Sequence, residues 1–156
     1  MMHSELDRNI LGNPDWERSF DERLTEYGEW DSKLFWLLHL ERLNIAKQQN
    51  TALPFERNLV YSLLKLQQKV LTLISAHFTK NDVFEIRNIT TDKLYEFKER
   101  FEMAILGAIS GVVLLESSFD LANPLVKNAV GCVSCLNYFS QQYFAHQRGR
   151  YVNFNL

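Results

Sequence analysis

Glycine and proline are scarce: six and three in 156 residues. That scarcity argues against a turn-rich β fold and for helices. The two cysteines, Cys132 and Cys135, are too few for a disulfide framework. No apolar run reaches the roughly 20 residues that a bilayer-spanning helix needs. The longest, Met103 to Leu115, carries no charge and a single polar side chain, Ser110, and reads as a buried helix. The first twenty residues have neither a positively charged start nor an apolar stretch, so a signal peptide is not expected and a cytoplasmic location is. The glycines are scattered, which excludes a phosphate-cradling loop. No Ser-His-Asp or Cys-His-Asp arrangement is legible, so no catalytic residue and no cofactor is assigned.

What is present reads as one all-α domain over 1–156. Hydrophobic residues at 46% and charged residues at 23% are the proportions of a soluble globular chain, and the length suffices for a core of its own. Residues 1–12 are expected to pack loosely. Asn13-Pro14 reads as a helix start, Asn as cap and Pro in the first turn. Trp16, Phe20, Leu24 and Tyr27 then recur at helical spacing up to a stop at Gly28. A second helix is predicted from Asp31 or Ser32 to about Asn50. A third runs from Pro54 to about Thr79 on the stripe Leu59, Leu63, Leu66, Val70, Leu73, His77. Residues 80–90 lose the helical period, and a short extended piece is predicted near 83–89.

Thr91 is read as the cap of a central helix over about 91–118, striped by Leu94, Phe97, Phe101, Ala104, Ala108, Gly111 and Leu115. Apolar residues cover nearly all its faces, as in a helix surrounded by others. Charged pairs on it, such as Glu96 with Arg100, read as surface placements. Asn123-Pro124 opens a fifth helix to about Gln147, and the tail 151–156 alternates apolar residues. The expected fold is therefore a bundle of about five helices.

Charge is unevenly spread. Residues 1–31 hold nine acids against three arginines, a net of -6, while the whole chain stands at -2. A nucleic-acid binder would show a dominant basic face, which this distribution lacks. Neither a nucleic acid nor a membrane is expected as partner. The acidic region also carries aromatic residues, and together Asp15, Trp16, Glu17, Phe20, Asp21, Glu22, Glu26, Tyr27, Glu29 and Trp30 suit a basic protein surface. Acids would speed association and rings would supply affinity. The expectation is a non-catalytic protein-binding module: a small inhibitor of the immunity-protein kind, directed at a basic, nuclease-like toxin. The alternative reading of this region is a solvated helix face.

Two other readings use rarer residues. His39, His77 and His146 fall on three predicted helices, and bundles build metal sites from facing helices. In their number they resemble the three histidines of DinB-type bundles, which implies a bundle-core metal; no H-x-x-x-H or E-x-x-H accompanies them. The Cys132-Val-Ser-Cys135 motif resembles that of helical redox enzymes of the alkylhydroperoxidase AhpD type, which implies a working thiol pair. That family places a histidine four residues after the second cysteine, where this chain has Phe139. Cys132 also continues a core stripe, so inert buried thiols are expected.

Overall fold

The computed structural model describes residues 4–49, 56–113 and 115–126. Among them it forms five α-helices and no strand: α1 Ser4–Arg8, α2 Phe20–Tyr27, α3 Ser32–Gln48, α4 Arg57–Phe78 and α5 Thr91–Ser110. A single 3-10 turn follows at Glu116–Ser118. The all-α bundle expected from the pattern is the fold found. None of these helices is long and apolar enough to cross a membrane.

The helix ends follow local chemistry. The Ser19 hydroxyl accepts from Glu22 N to open α2, the Asp31 carboxylate accepts from Leu34 N to open α3, and Thr90 accepts from Lys93 N to open α5. Each such cap is worth about 1 kcal/mol. Gly28 and Gly111 close α2 and α5 in the left-handed region, at φ 61° and 72°.

Several boundaries differ from expectation. Asn13-Pro14 starts no helix. The Asn13 side chain instead accepts from Asp15 N at 2.8 Å, closing a local turn. Arg18 then takes φ 63°, which breaks any helix there, and α2 begins six residues later than the Pro14 start. Residues 1–12 are not wholly loose, since α1 buries Leu6 completely. The cap of α5 is Thr90, one residue before the expected Thr91. The central helix stops at Ser110 because Gly111 turns left-handed, and 116–118 form a separate 3-10 turn. The extended piece near 83–89 is one parallel bridge between Glu29 and Arg87. Trp30 N donates to Arg87 O at 3.1 Å, and Arg87 N donates to Gly28 O at 2.7 Å. The predicted fifth helix over about 124–147 and the tail 151–156 lie outside the described residues, apart from the turn at Asn123–Val126.

The core sits where α3 and α5 meet, with α4 against α5. Phe35 and Phe97 pack edge to face with ring centroids 4.7 Å apart, Phe20 meets Trp30 at 5.0 Å, and Trp30 meets Phe97 at 5.4 Å. From α4 come Leu59, Leu63, Leu66, Val70 and Ile74, all buried. The stripe drifts at its end, so that Ile74 and not Leu73 is the fully buried residue. Each such side chain contributes about 1.5–3 kcal/mol by leaving water.

Candidate functional site

The structure divides the ten acidic and aromatic residues singled out from the sequence. Phe20, Asp21 and Trp30 are buried, at 0%, 1% and 2% exposure, so they are not available to a partner. Phe20 and Trp30 are core rings because α2 presents Phe20 and Leu24 inward. Asp21 is a brace. Its Oδ2 accepts from Lys69 Nζ at 2.6 Å and from Trp16 Nε1 at 2.7 Å, while its backbone N donates to Asn9 Oδ1 at 2.8 Å. That network ties α2 to α4 and holds Trp16 half-buried, with Lys69 Nζ 5.6 Å from its ring centroid.

Glu22 and Glu29 are half-buried and engaged locally. Glu22 accepts from the backbone N of Arg18, and Glu29 pairs with Arg23 at 3.1 Å. Exposed residues of the set are Asp15, Glu17, Glu26 and Tyr27. Asp15 and Glu17 line a surface cleft of about 560 Å³ together with Glu5 and Asp7 of α1 and the arginines Arg8 and Arg18. Glu26 and Tyr27 do not line it.

Arg8 organises this cleft. Its Nε donates to Asp15 O at 3.2 Å and its Nη2 to Arg18 O at 3.1 Å, and its Nη1 lies 3.9 Å from Glu5 Oε1. One side chain thus fastens the 13–18 turn onto α1 and leaves four carboxylates around two guanidiniums. Glu5 and Asp7 were missed as site residues because residues 1–12 promised no structure. Their signal was present in the acid excess of residues 1–31.

Of the three histidines, His39 and His77 lie within the described residues, and each is engaged locally. His77 is half-buried, and its Nδ1 accepts from Ile86 N at 3.0 Å, bracing the 80–90 segment. His39 is fully buried on α3, with Nε2 3.3 Å from Arg100 Nη1. Burial first, and the charges of Arg42 and Arg100 after it, push its pKa down to about 2. Two neighbouring guanidiniums repel a metal cation from this ring. Among the described residues no group of three or more His, Cys, Asp or Glu is placed to hold a metal ion. His146, Cys132 and Cys135 lie outside the described residues.

What sequence reading missed is a buried cationic cluster between α3 and α5. Arg42 and Arg100 are both 0% exposed. Arg100 is no surface partner of Glu96. It makes a two-point pair with Glu116, at 2.8 Å and 3.3 Å, and also donates to the carbonyl of Leu121. Its guanidinium lies 4.3 Å from the Phe119 ring centroid and 5.1 Å from that of Trp36. Arg42 lies 4.3 Å from the Phe101 centroid and 5.7 Å from that of Phe35, yet none of its three side-chain nitrogens has a hydrogen-bond partner among the described residues. Desolvation lowers its pKa to about 9. A signal for Arg100 existed: it follows Phe97 by three residues and precedes Ala104 by four, which sets it on the buried stripe of α5.

Compared with models of protein families, with curated proteins and with solved structures, the chain matches none.

Proposed function

We propose that the protein is a non-catalytic binding module, an inhibitor of the immunity type that neutralises a basic, nuclease-like toxin in the cytoplasm. The observation that supports this reading most is the concave acidic surface on which Glu5, Asp7, Asp15 and Glu17 meet. A basic partner would be drawn to that surface before contact, and complementary fields raise association rates by one to several powers of ten at low salt. With Phe20 and Trp30 in the core, ring contacts to a partner come from exposed Tyr27 and the open edge of Trp16. Affinity in this reading leans on charge more than on aromatic anchors.

The test is a quadruple variant, Glu5→Gln with Asp7→Asn, Asp15→Asn and Glu17→Gln, compared with the parent for binding to a basic nuclease toxin domain. Association should slow by about ten-fold or more at low salt, with dissociation changed less. Protection of cells from that toxin should weaken in parallel. If both proteins associate at the same salt-dependent rate, the acidic cleft is only a solvated surface and the reading fails.

A further inference from the structure

We propose that the cluster at the α3–α5 contact is a binding site for a small inorganic oxyanion of the phosphate or sulfate class, seated on Arg42 with His39 beside it. This goes beyond the inhibitor reading and stands apart from the acidic cleft.

The inference starts from donors that have no acceptor. Nε, Nη1 and Nη2 of Arg42, Nε of Arg100 and Nδ1 of His39 are all buried and have no partner among the described residues. A guanidinium can only donate, so in the contact between Arg100 and His39 the imidazole Nε2 is the acceptor. Neutral His39 therefore carries its hydrogen on Nδ1, which becomes another donor. Every unsatisfied position in this cluster is a donor. Arg42 and His39 both stand against the Phe35 ring, at 5.7 Å and 5.8 Å from its centroid.

Glu116 is the carboxylate that reaches the cluster, and both of its oxygens are engaged by Arg100. All 19 acidic side chains of the protein lie within the described residues, since 50–55, 114 and 127–156 contain no Asp or Glu. No further acidic side chain can arrive from those segments to neutralise Arg42. A fully buried guanidinium whose donors meet no acceptor is among the costliest arrangements in a fold, and the contact with Phe101 offsets only part of it.

The complementary group carries negative charge and accepts without donating, and a planar guanidinium fork suits an oxyanion by two parallel hydrogen bonds. Because Arg42 and His39 are both 0% exposed, only a small ion could reach them. Glu116, Phe119 and the Leu121 carbonyl cover the Arg100 side, so exchange should be slow and long equilibration is needed.

The experiment titrates the full-length protein with sodium phosphate, and separately with sodium sulfate, in the low millimolar range, with gluconate holding ionic strength. At such concentrations general exclusion effects of these salts are small. A saturable rise in Tm of about 5 °C at about 100 times Kd is expected, together with a separate protein-bound phosphate phosphorus resonance that sulfate removes. Arg42→Met should abolish both responses, and it is expected to fold because an apolar side chain of similar length suits the buried position beside Phe35 and Phe101. If it fails to fold, Arg42→Lys decides, since it keeps the charge but loses the fork and should weaken binding about ten-fold. Absence of a saturable response in the parent, or an unchanged response in the variant, overturns the proposal.

Discussion

Arg100 and Glu116 pair at two points across 16 residues of chain, with Nη2 2.8 Å from Oε2 and Nη1 3.3 Å from Oε1. The cation is fully buried while the carboxylate side chain is 28% exposed. Removing one partner of such a pair leaves a buried charge uncompensated. Glu116→Gln should therefore lower unfolding free energy by about 2–4 kcal/mol in urea titration, the lower part reflecting the exposure of Glu116. Adding Arg100→Met should restore much of that loss, because the uncompensated charge then leaves too. A single-variant change below about 0.5 kcal/mol would show that water already satisfies Arg100.

His39 gives the protein a dependence on acid. Its pKa is lowered from 6.5 to about 2 in the folded state, by burial first and then by Arg42 and Arg100. Below pH 6.5 the unfolded chain takes up a proton at this ring that the folded chain refuses. Its share of stability is thus complete above that pH and shrinks as pH falls, by about 1.4 kcal/mol per pH unit once the unfolded ring is protonated. Urea midpoints measured between pH 7 and about 5 should fall for the parent. They should fall less for His39→Gln, which still offers Arg100 an acceptor. Equal slopes would mean the ring titrates normally in the fold.

The sequence revealed helices where apolar period and caps agreed, and it misled where one local signal stood alone. The stripes of α4 and α5 were legible because burial repeats every three to four residues, from Leu59 to Val70 and from Leu94 to Ala108. Gly111 was read as a stripe position, yet only its left-handed φ shows that it ends α5. Asn13-Pro14 carried a sound cap signal, but Asn13 spends its side chain on a turn of its own. The candidate site was harder to see. An acid or a ring on an amphipathic segment looks alike whether it faces a partner or a neighbouring helix, and Lys69, 48 residues from Asp21, decided that Asp21 faces inward. Arg42 was hidden for the same reason, since the ring nearest its guanidinium, Phe101, comes from α5, whereas Arg100 stood on the stripe of α5 and was passed over as a surface charge.

Asp21 belongs to the fold and not to the partner surface, and this is open to direct test. It accepts from Lys69 and Trp16 at 2.6 Å and 2.7 Å and is 1% exposed. Asp21→Asn removes the charge that Lys69 pairs with and leaves one amide oxygen to serve both donors. A loss of about 2–3 kcal/mol is expected, together with release of Trp16 seen as a red shift of its fluorescence. Binding to a basic partner, measured well below the melting temperature, should change much less than in the acidic-cleft variant. A folded, stable Asp21→Asn protein with lost binding would return Asp21 to the interface.

Gly28 is the tightest point between α2 and the 83–89 segment. It sits at φ 61°, and a Cβ added there would lie 2.4 Å from the carbonyl oxygen of Glu85. Its own carbonyl accepts from Arg87 N at 2.7 Å, so the backbone cannot move away without breaking the bridge that holds Trp30 against the same strand-like segment. Gly28→Ala should cost about 2–4 kcal/mol, combining the left-handed strain with the displacement of Glu85. Gly12→Ala is the matched control: its φ is 98°, but nothing lies within 4 Å of the added Cβ. It carries backbone strain alone and should cost about 1 kcal/mol. Urea denaturation of the two variants separates strain from contact, and a Gly28→Ala cost no larger than that of Gly12→Ala would place the 83–89 segment farther from α2 than the bridge implies.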